Sequence, residues 1–183
     1  MKKKILAAIA AVSGLVALDP AAHAADGSIN FTGSIVHTTC NINGAAAPTS
    51  SAVVLPPVTA NELIKAGSTA GRTFFKIVLS GCSGEGRKVT AYFLPSNSVG
   101  SNGRLIVDSG GAKNVEIALL TQQTSSSSPI YVGAGVTPST SSHFYYPIEN
   151  GSTTMYYGAE YVSLGNVTAG AVLSRVEYNV VYQ

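Results

Sequence analysis

The chain has no tryptophan, only two cysteines and only three histidines, and charged residues make up 11% of it. Each shortage excludes something. Cys40 and Cys82 are too far apart for a redox CxxC pair or a zinc knuckle. His37 and His143 have no metal-ligating partner three or four residues away. The acids are few and scattered, so no carboxylate pair for acid–base chemistry stands out. No GxSxG, HExxH, P-loop or EF-hand pattern occurs. The sequence therefore predicts no enzyme, no cofactor and no metal. It also lacks a long apolar run. Ile5 to Leu18 falls short of the roughly 17–25 residues that span a bilayer.

That short run has a different explanation. Lys2, Lys3 and Lys4 give a basic start, Asp19-Pro20 breaks the apolar stretch, and Ala22-His23-Ala24 is a small-x-small cleavage site. This is the layout of a secretory signal peptide over residues 1–24. A buried N-terminal helix is the alternative, but it leaves the basic start and the AHA unexplained. The signal holds three of the eleven Lys+Arg and one of the nine Asp+Glu, so eight of each remain in the mature chain. With charges balanced and no basic patch, the sequence predicts no nucleic-acid partner.

What is present is Ser, Thr, Gly, Val and Tyr, in short apolar runs separated by Gly, Ser, Asn and Pro. That composition predicts one secreted all-β domain. Strands are expected at 28–36, 52–55, 72–79, 87–94, 104–107, 114–121, 130–132, 153–162 and from about Ala171 to the end. A helical turn is expected over Asn61–Lys65, and a hairpin tip at Gly84-Glu85-Gly86. In an oxidising compartment Cys40 and Cys82 are most simply one disulfide. Closing a loop of about 40 residues stabilises by roughly 4 kcal/mol on the chain-entropy account. The asparagines at 30, 150 and 166 open glycosylation-type triplets, a weak pattern. The nine tyrosines could present a sugar-binding surface or serve as half-buried strand packing.

The two ends of the mature chain are similar in kind. In SINFTGSIV, Ile29, Phe31, Gly33 and Ile35 point one way and polar residues the other. Gly33 stands where an apolar side chain belongs, which marks either close backbone approach or a bulge. In SRVEYNVVYQ, Val176, Tyr178, Val180 and Tyr182 share a face and run almost to the C-terminus. No later strand covers that edge, and exposed apolar edges invite pairing with another chain. An extended segment of a second molecule can supply the missing strand.

These residues carry a resemblance. Gly27-x-Ile29-x-Phe31-x-Gly33-x-Ile35 before Cys40 is similar to the donor segment of chaperone–usher pilins of the type 1 fimbrial major-subunit family. Phe75-x-Ile77-x-Leu79-x-x-Cys82 resembles the strand that ends at that family's second cysteine. Gly170, fourteenth from the C-terminus, and the penultimate Tyr182 resemble its C-terminal assembly motif. The resemblance implies an incomplete immunoglobulin-like β-sandwich lacking its final strand, with a signal peptide at 1–24, a donor extension at 25–36 and a pilin domain at 37–183. It implies that Ile29, Phe31, Gly33 and Ile35 enter a neighbour's groove, and favours close approach at Gly33. Gly170, Val172, Val176, Tyr178, Val180 and Tyr182 would form this subunit's own groove and assembly motif. The implied partners are other copies of itself or related pilins, a periplasmic chaperone and an outer-membrane usher. The implied destination is a fimbrium reached through the periplasm, assembled head-to-tail and supporting adhesion. The alternative is a minor or tip subunit that binds a glycan receptor directly; no receptor can be named from the sequence.

Overall fold

The computed structural model describes residues 40–45, 50–83, 87–122, 127–133 and 144–183, all within the unit Val36–Gln183. The expected signal peptide, the donor segment with Ile29, Phe31, Gly33 and Ile35, the tip at 84–86 and both His37 and His143 lie outside the described residues.

The described elements are strands apart from one 3-10 turn at Ala60–Leu63. The strands are β1 (Asn41–Ile42), β2 (Thr69–Ser80), β3 (Lys88–Phe93), β4 (Leu105–Ile106), β5 (Val115–Gln122), β6 (Ser127–Ile130), β7 (Tyr146–Pro147), β8 (Thr153–Ser163) and β9 (Tyr178–Tyr182). One sheet runs β1-β2-β8-β5-β4, with β6 also paired to β5; the other runs β7-β3-β9. Every pairing is antiparallel. The prolines in β6 and β7, Pro129 and Pro147, sit on edge strands, where a missing N–H breaks no internal ladder.

Period-2 alternation explains the core. Phe75, Ile77 and Leu79 of β2, and Val89, Ala91 and Phe93 of β3, turn inward as their spacing predicts. They meet Ile117 and Leu119 of β5 and Met155, Tyr157, Ala159 and Tyr161 of β8. On the alternate positions of β5 and β8, Glu116 and Glu160 are nearly buried and are held by cations. Arg72 Nε donates to Glu160 Oε2 at 2.7 Å, and Arg104 stands 3.5 Å from Glu116. Bonding to Glu160 holds the Arg72 guanidinium above its ordinary value. Two-residue turns close the hairpins at Asn43-Gly44 and Asn150-Gly151, all four residues in the left-handed region that this turn type requires.

Tyr157 joins the two sheets. The N–H of Ala91 points to the edge of β3 that β7 covers only at Lys88 and Val89. The Tyr157 hydroxyl takes that N–H at 2.9 Å, and the ring meets Phe93 edge-on at 5.3 Å. Burial pushes this phenol up to about 12.

Four sequence expectations need correction, the first being the piece expected at 130–132, where the strand is β6 at Ser127–Ile130. Residues 52–55 form no ladder: they belong to an extended, exposed segment with no strand beside it among the described residues. The helical turn begins one residue early and is 3-10, its start fixed by Glu62, whose carboxylate accepts from the N–H (2.7 Å) and hydroxyl (3.0 Å) of Thr59. The last strand starts at Tyr178 rather than about Ala171, because the segment before it is bonded singly to the 108–113 turn instead of running as a ladder. Cys40 and Cys82 form the expected disulfide.

Candidate functional site

A groove of about 1060 Å³ opens between the two sheets. Its floor is the core itself: Phe75 and Ile77 from β2, Ile117 and Leu119 from β5, Ala159 from β8 and Phe93 from β3. Phe75, Ile77 and Phe93 were readable as sharing a strand face with other apolar residues; Ile117, Leu119 and Ala159 were readable only as members of expected strands. Their exposure to a groove was not readable, because it depends on how the sheets splay.

One wall is the C-terminal segment. Val176, Tyr178, Val180 and Tyr182 all line the groove. β9 pairs with β3 alone. Bonds at both ends of that pairing fix its phase: Lys88 and Gln183 exchange N–H and C=O, and Leu94 donates to Glu177 at 2.8 Å. Antiparallel alternation then aims the backbone groups of Tyr178, Val180 and Tyr182 away from β3, toward the open side. No strand takes them among the described residues.

The opposite wall is the extended segment with Ser50, Ser51, Val53 and Leu55. The sequence read 52–55 as a strand from its apolar run. It has the composition of one, and beside it runs a groove instead of a neighbour.

The disulfide closes one end. Cys40 lines the groove, and the Tyr182 hydroxyl rests 3.4 Å from its Sγ. Desolvation raises the Tyr182 phenol above its ordinary value. The other end is shaped by Leu105 and Ser174.

Gly170 and Val172 sit elsewhere. Val172 packs on the core without lining the groove. Gly170 lies backbone to backbone on the 108–113 turn, and a Cβ there would stand 2.6 Å from the N of Ala112. Ala112 donates to Ala171 at 2.8 Å, and Asp108 donates to Leu173 at 2.8 Å. Gly170 thus admits the crossing that delivers residues 174–182 to the groove wall.

Among the described residues no cluster of His, Cys, Asp or Glu could hold a metal ion, and no helix is long and apolar enough to cross a membrane. The groove offers apolar pockets and a row of backbone donors and acceptors. That chemistry suits an extended peptide segment.

The chain matches known proteins along nearly its whole length. Residues 29–183 fit the profile of the family described as Fimbrial protein. The major fimbrial subunit SMF-1 of Stenotrophomonas maltophilia (strain K279a) is 37% identical over 171 residues, covering 92% of this chain and 99% of that one. The F17 fimbrial protein of Escherichia coli is 34% identical over 185 residues, covering 98% and 97%. Among solved structures, the Burkholderia pseudomallei antigen and type I fimbria protein BPSL1626 superposes with a TM-score of 0.54 at 35% identity, covering 85% and 97%. The P pilus rod subunit PapA superposes with a TM-score of 0.54 at 19% identity, covering 79% and 99%, a likeness of fold.

Proposed function

Because the chain belongs to the fimbrial protein family, we propose that its groove is filled by a strand from another subunit and that residues 25–36 of a neighbouring copy supply it. The fold is all-β, an incomplete immunoglobulin-like sandwich. The chain is a structural subunit of a surface fimbria, a role that asks for assembly and not turnover.

The observation that carries the mechanism is the free edge of β9 beside an exposed core. A strand seated there would exchange backbone bonds with Tyr178, Val180 and Tyr182 and lower apolar side chains onto Phe75, Ile77 and Leu119. Ile29, Phe31 and Ile35 have the matching period of two. Burying each is worth about 1.5–3 kcal/mol. Gly33 would let the backbone pass close where the aromatic floor stands high. The contact joins unlike surfaces and does not close on itself, so it propagates as a filament.

The rest of the route belongs to the same reading. Residues 1–24 direct export and are removed. A periplasmic chaperone covers the open groove until assembly, and an outer-membrane usher passes the subunit into the fibre. An open edge of this kind needs covering in a soluble intermediate, which is what supports a chaperone. The tyrosines favour packing over a glycan surface: Tyr157 is buried, and Tyr178 and Tyr182 face the groove.

The test is deletion of residues 25–35 from the mature chain. The truncated subunit is expected to remain bound to its chaperone and to fail to donate to a neighbour. Normal fibres from the truncated subunit would overturn the reading.

A further inference from the structure

The exposed large apolar side chains sort by kind and place. Among the described residues four are aromatic, and Val53 and Val54 belong to the groove wall segment. The remaining four, Ile64, Ile106, Leu164 and Leu173, are aliphatic. All four gather at the end of the sandwich where β5 begins and β8 stops. Asn166 donates to the carbonyl of Ile64 at 3.4 Å, and Leu164 donates to Asn114 at 2.8 Å. Asp108 donates to Leu173 at 2.8 Å, and the Ser174 hydroxyl donates to Ile106 at 2.7 Å. Leu173 directly precedes Ser174, which shapes the mouth of the groove.

What covers this end follows from chain length, given the strand-exchange reading on which the argument rests. Only residues 36–39 separate Ile35, the last apolar donor side chain, from Cys40. Five Cα steps reach roughly 17 Å at most. Every described pairing is antiparallel, and antiparallel pairs are the commoner kind. A donor laid antiparallel to β9 would put Ile29 near Tyr182 and leave the groove past Val176, beside Leu173. The donor subunit's own Cys40 end is then tethered against this apolar end. Exposed aliphatic side chains grouped at one end of a sandwich in this way mark a contact site.

We infer that Ile64, Ile106, Leu164 and Leu173 dock the Cys40 end of the next copy of this chain, a second contact beside the exchanged strand. The docking end presents small turns: Asn43-Gly44 lies close after Cys40, and Asn150-Gly151 is tied to Cys82 by a 2.9 Å bond from its N–H to the carbonyl of Gly151. Such turns allow close approach of one subunit to the next.

Fibres of the full chain carrying a photoreactive amino acid at Leu173 test this. Cross-links, located by mass spectrometry, are expected within residues 40–45, 81–83 or 150–151 of the neighbour, beside any to its tether at 36–39; tether cross-links alone overturn the inference. The same probe at the exposed Phe74 is expected not to reach those residues. Cross-links from position 173 to any other region, or none at all in assembled fibres, overturn the inference. A second measurement uses Leu164→Glu with Leu173→Glu, both exposed in the subunit. The rate at which the synthetic peptide SINFTGSIV displaces the chaperone from the subunit is expected to stay within about twofold, while fibres fall apart about tenfold faster. Failure of the peptide to bind the unaltered subunit would sink strand exchange itself. Peptide binding with unchanged fibre lifetimes would sink only the docking surface.

Discussion

Tyr157 ties the two sheets through one hydroxyl, and that makes the fold sensitive to alkali. Its folded value, pushed up to about 12 by burial, lies above the ordinary tyrosine value near 10. The neutral phenol is therefore the form the fold prefers. Its contribution is intact below about pH 10 and is lost as pH rises through about 12, a total of roughly 3 kcal/mol. Urea unfolding at a series of pH values is expected to show this loss, and Tyr157→Phe to lessen it, the remainder coming from Tyr146, Tyr161 and Tyr182, whose phenols burial also raises. Gly170 is sensitive for a different reason. A Cβ there would stand 2.6 Å from the N of Ala112, so Gly170→Ala forces the 168–173 segment off the 108–113 turn. The expected cost is about 1–3 kcal/mol, with a lower thermal midpoint and weaker peptide capture, since the displaced segment leads into the groove wall.

At the scale of elements, the unpaired wall segment is the informative one. Val53 is 40% exposed, so Val53→Asp should leave subunit stability within about 0.5 kcal/mol. A seated strand would bury that side chain, and capture of SINFTGSIV should weaken about tenfold. Equal binding by the variant, measured by titration, would place the strand elsewhere. Strands β2, β3, β5 and β8 were legible as apolar runs of strand length, β2 by its alternation and β5 and β8 as central strands buried along most of their length. Residues 52–55 misled because apolar content reports burial, not partnership, and the partner is absent from the described fold. The start of β9 misled for the reverse reason. Residues 171–177 have alternating apolar character, but single bonds to a turn replace a ladder, and sequence pattern cannot separate those two ways of satisfying a backbone. Gly170 was singled out from resemblance alone; only the close approach of Gly111 and Ala112 explains it. The Asn-Gly pairs at 43–44 and 150–151 carried a strong hairpin signal that the triplet reading of Asn150 obscured.

At the scale of the whole molecule, the subunit can be regarded as a load-bearing link. If the donor strand is seated as proposed, a pull along the fibre enters each subunit at Cys40 and leaves through the strand held against β9. Without the disulfide, that pull could peel β1 and the 50–55 wall away from the sandwich. With it, the load passes covalently to Cys82 at the end of β2, and the 42-residue separation between the cysteines is bypassed. Reduction should then expose up to roughly 140 Å of extra contour per subunit. Single-fibre stretching with and without reductant would show those steps or their absence. The Cys40–Cys82 bond, set at the closed end of the groove, thus decides whether a stretched fibre slides at its joints or unravels within its links.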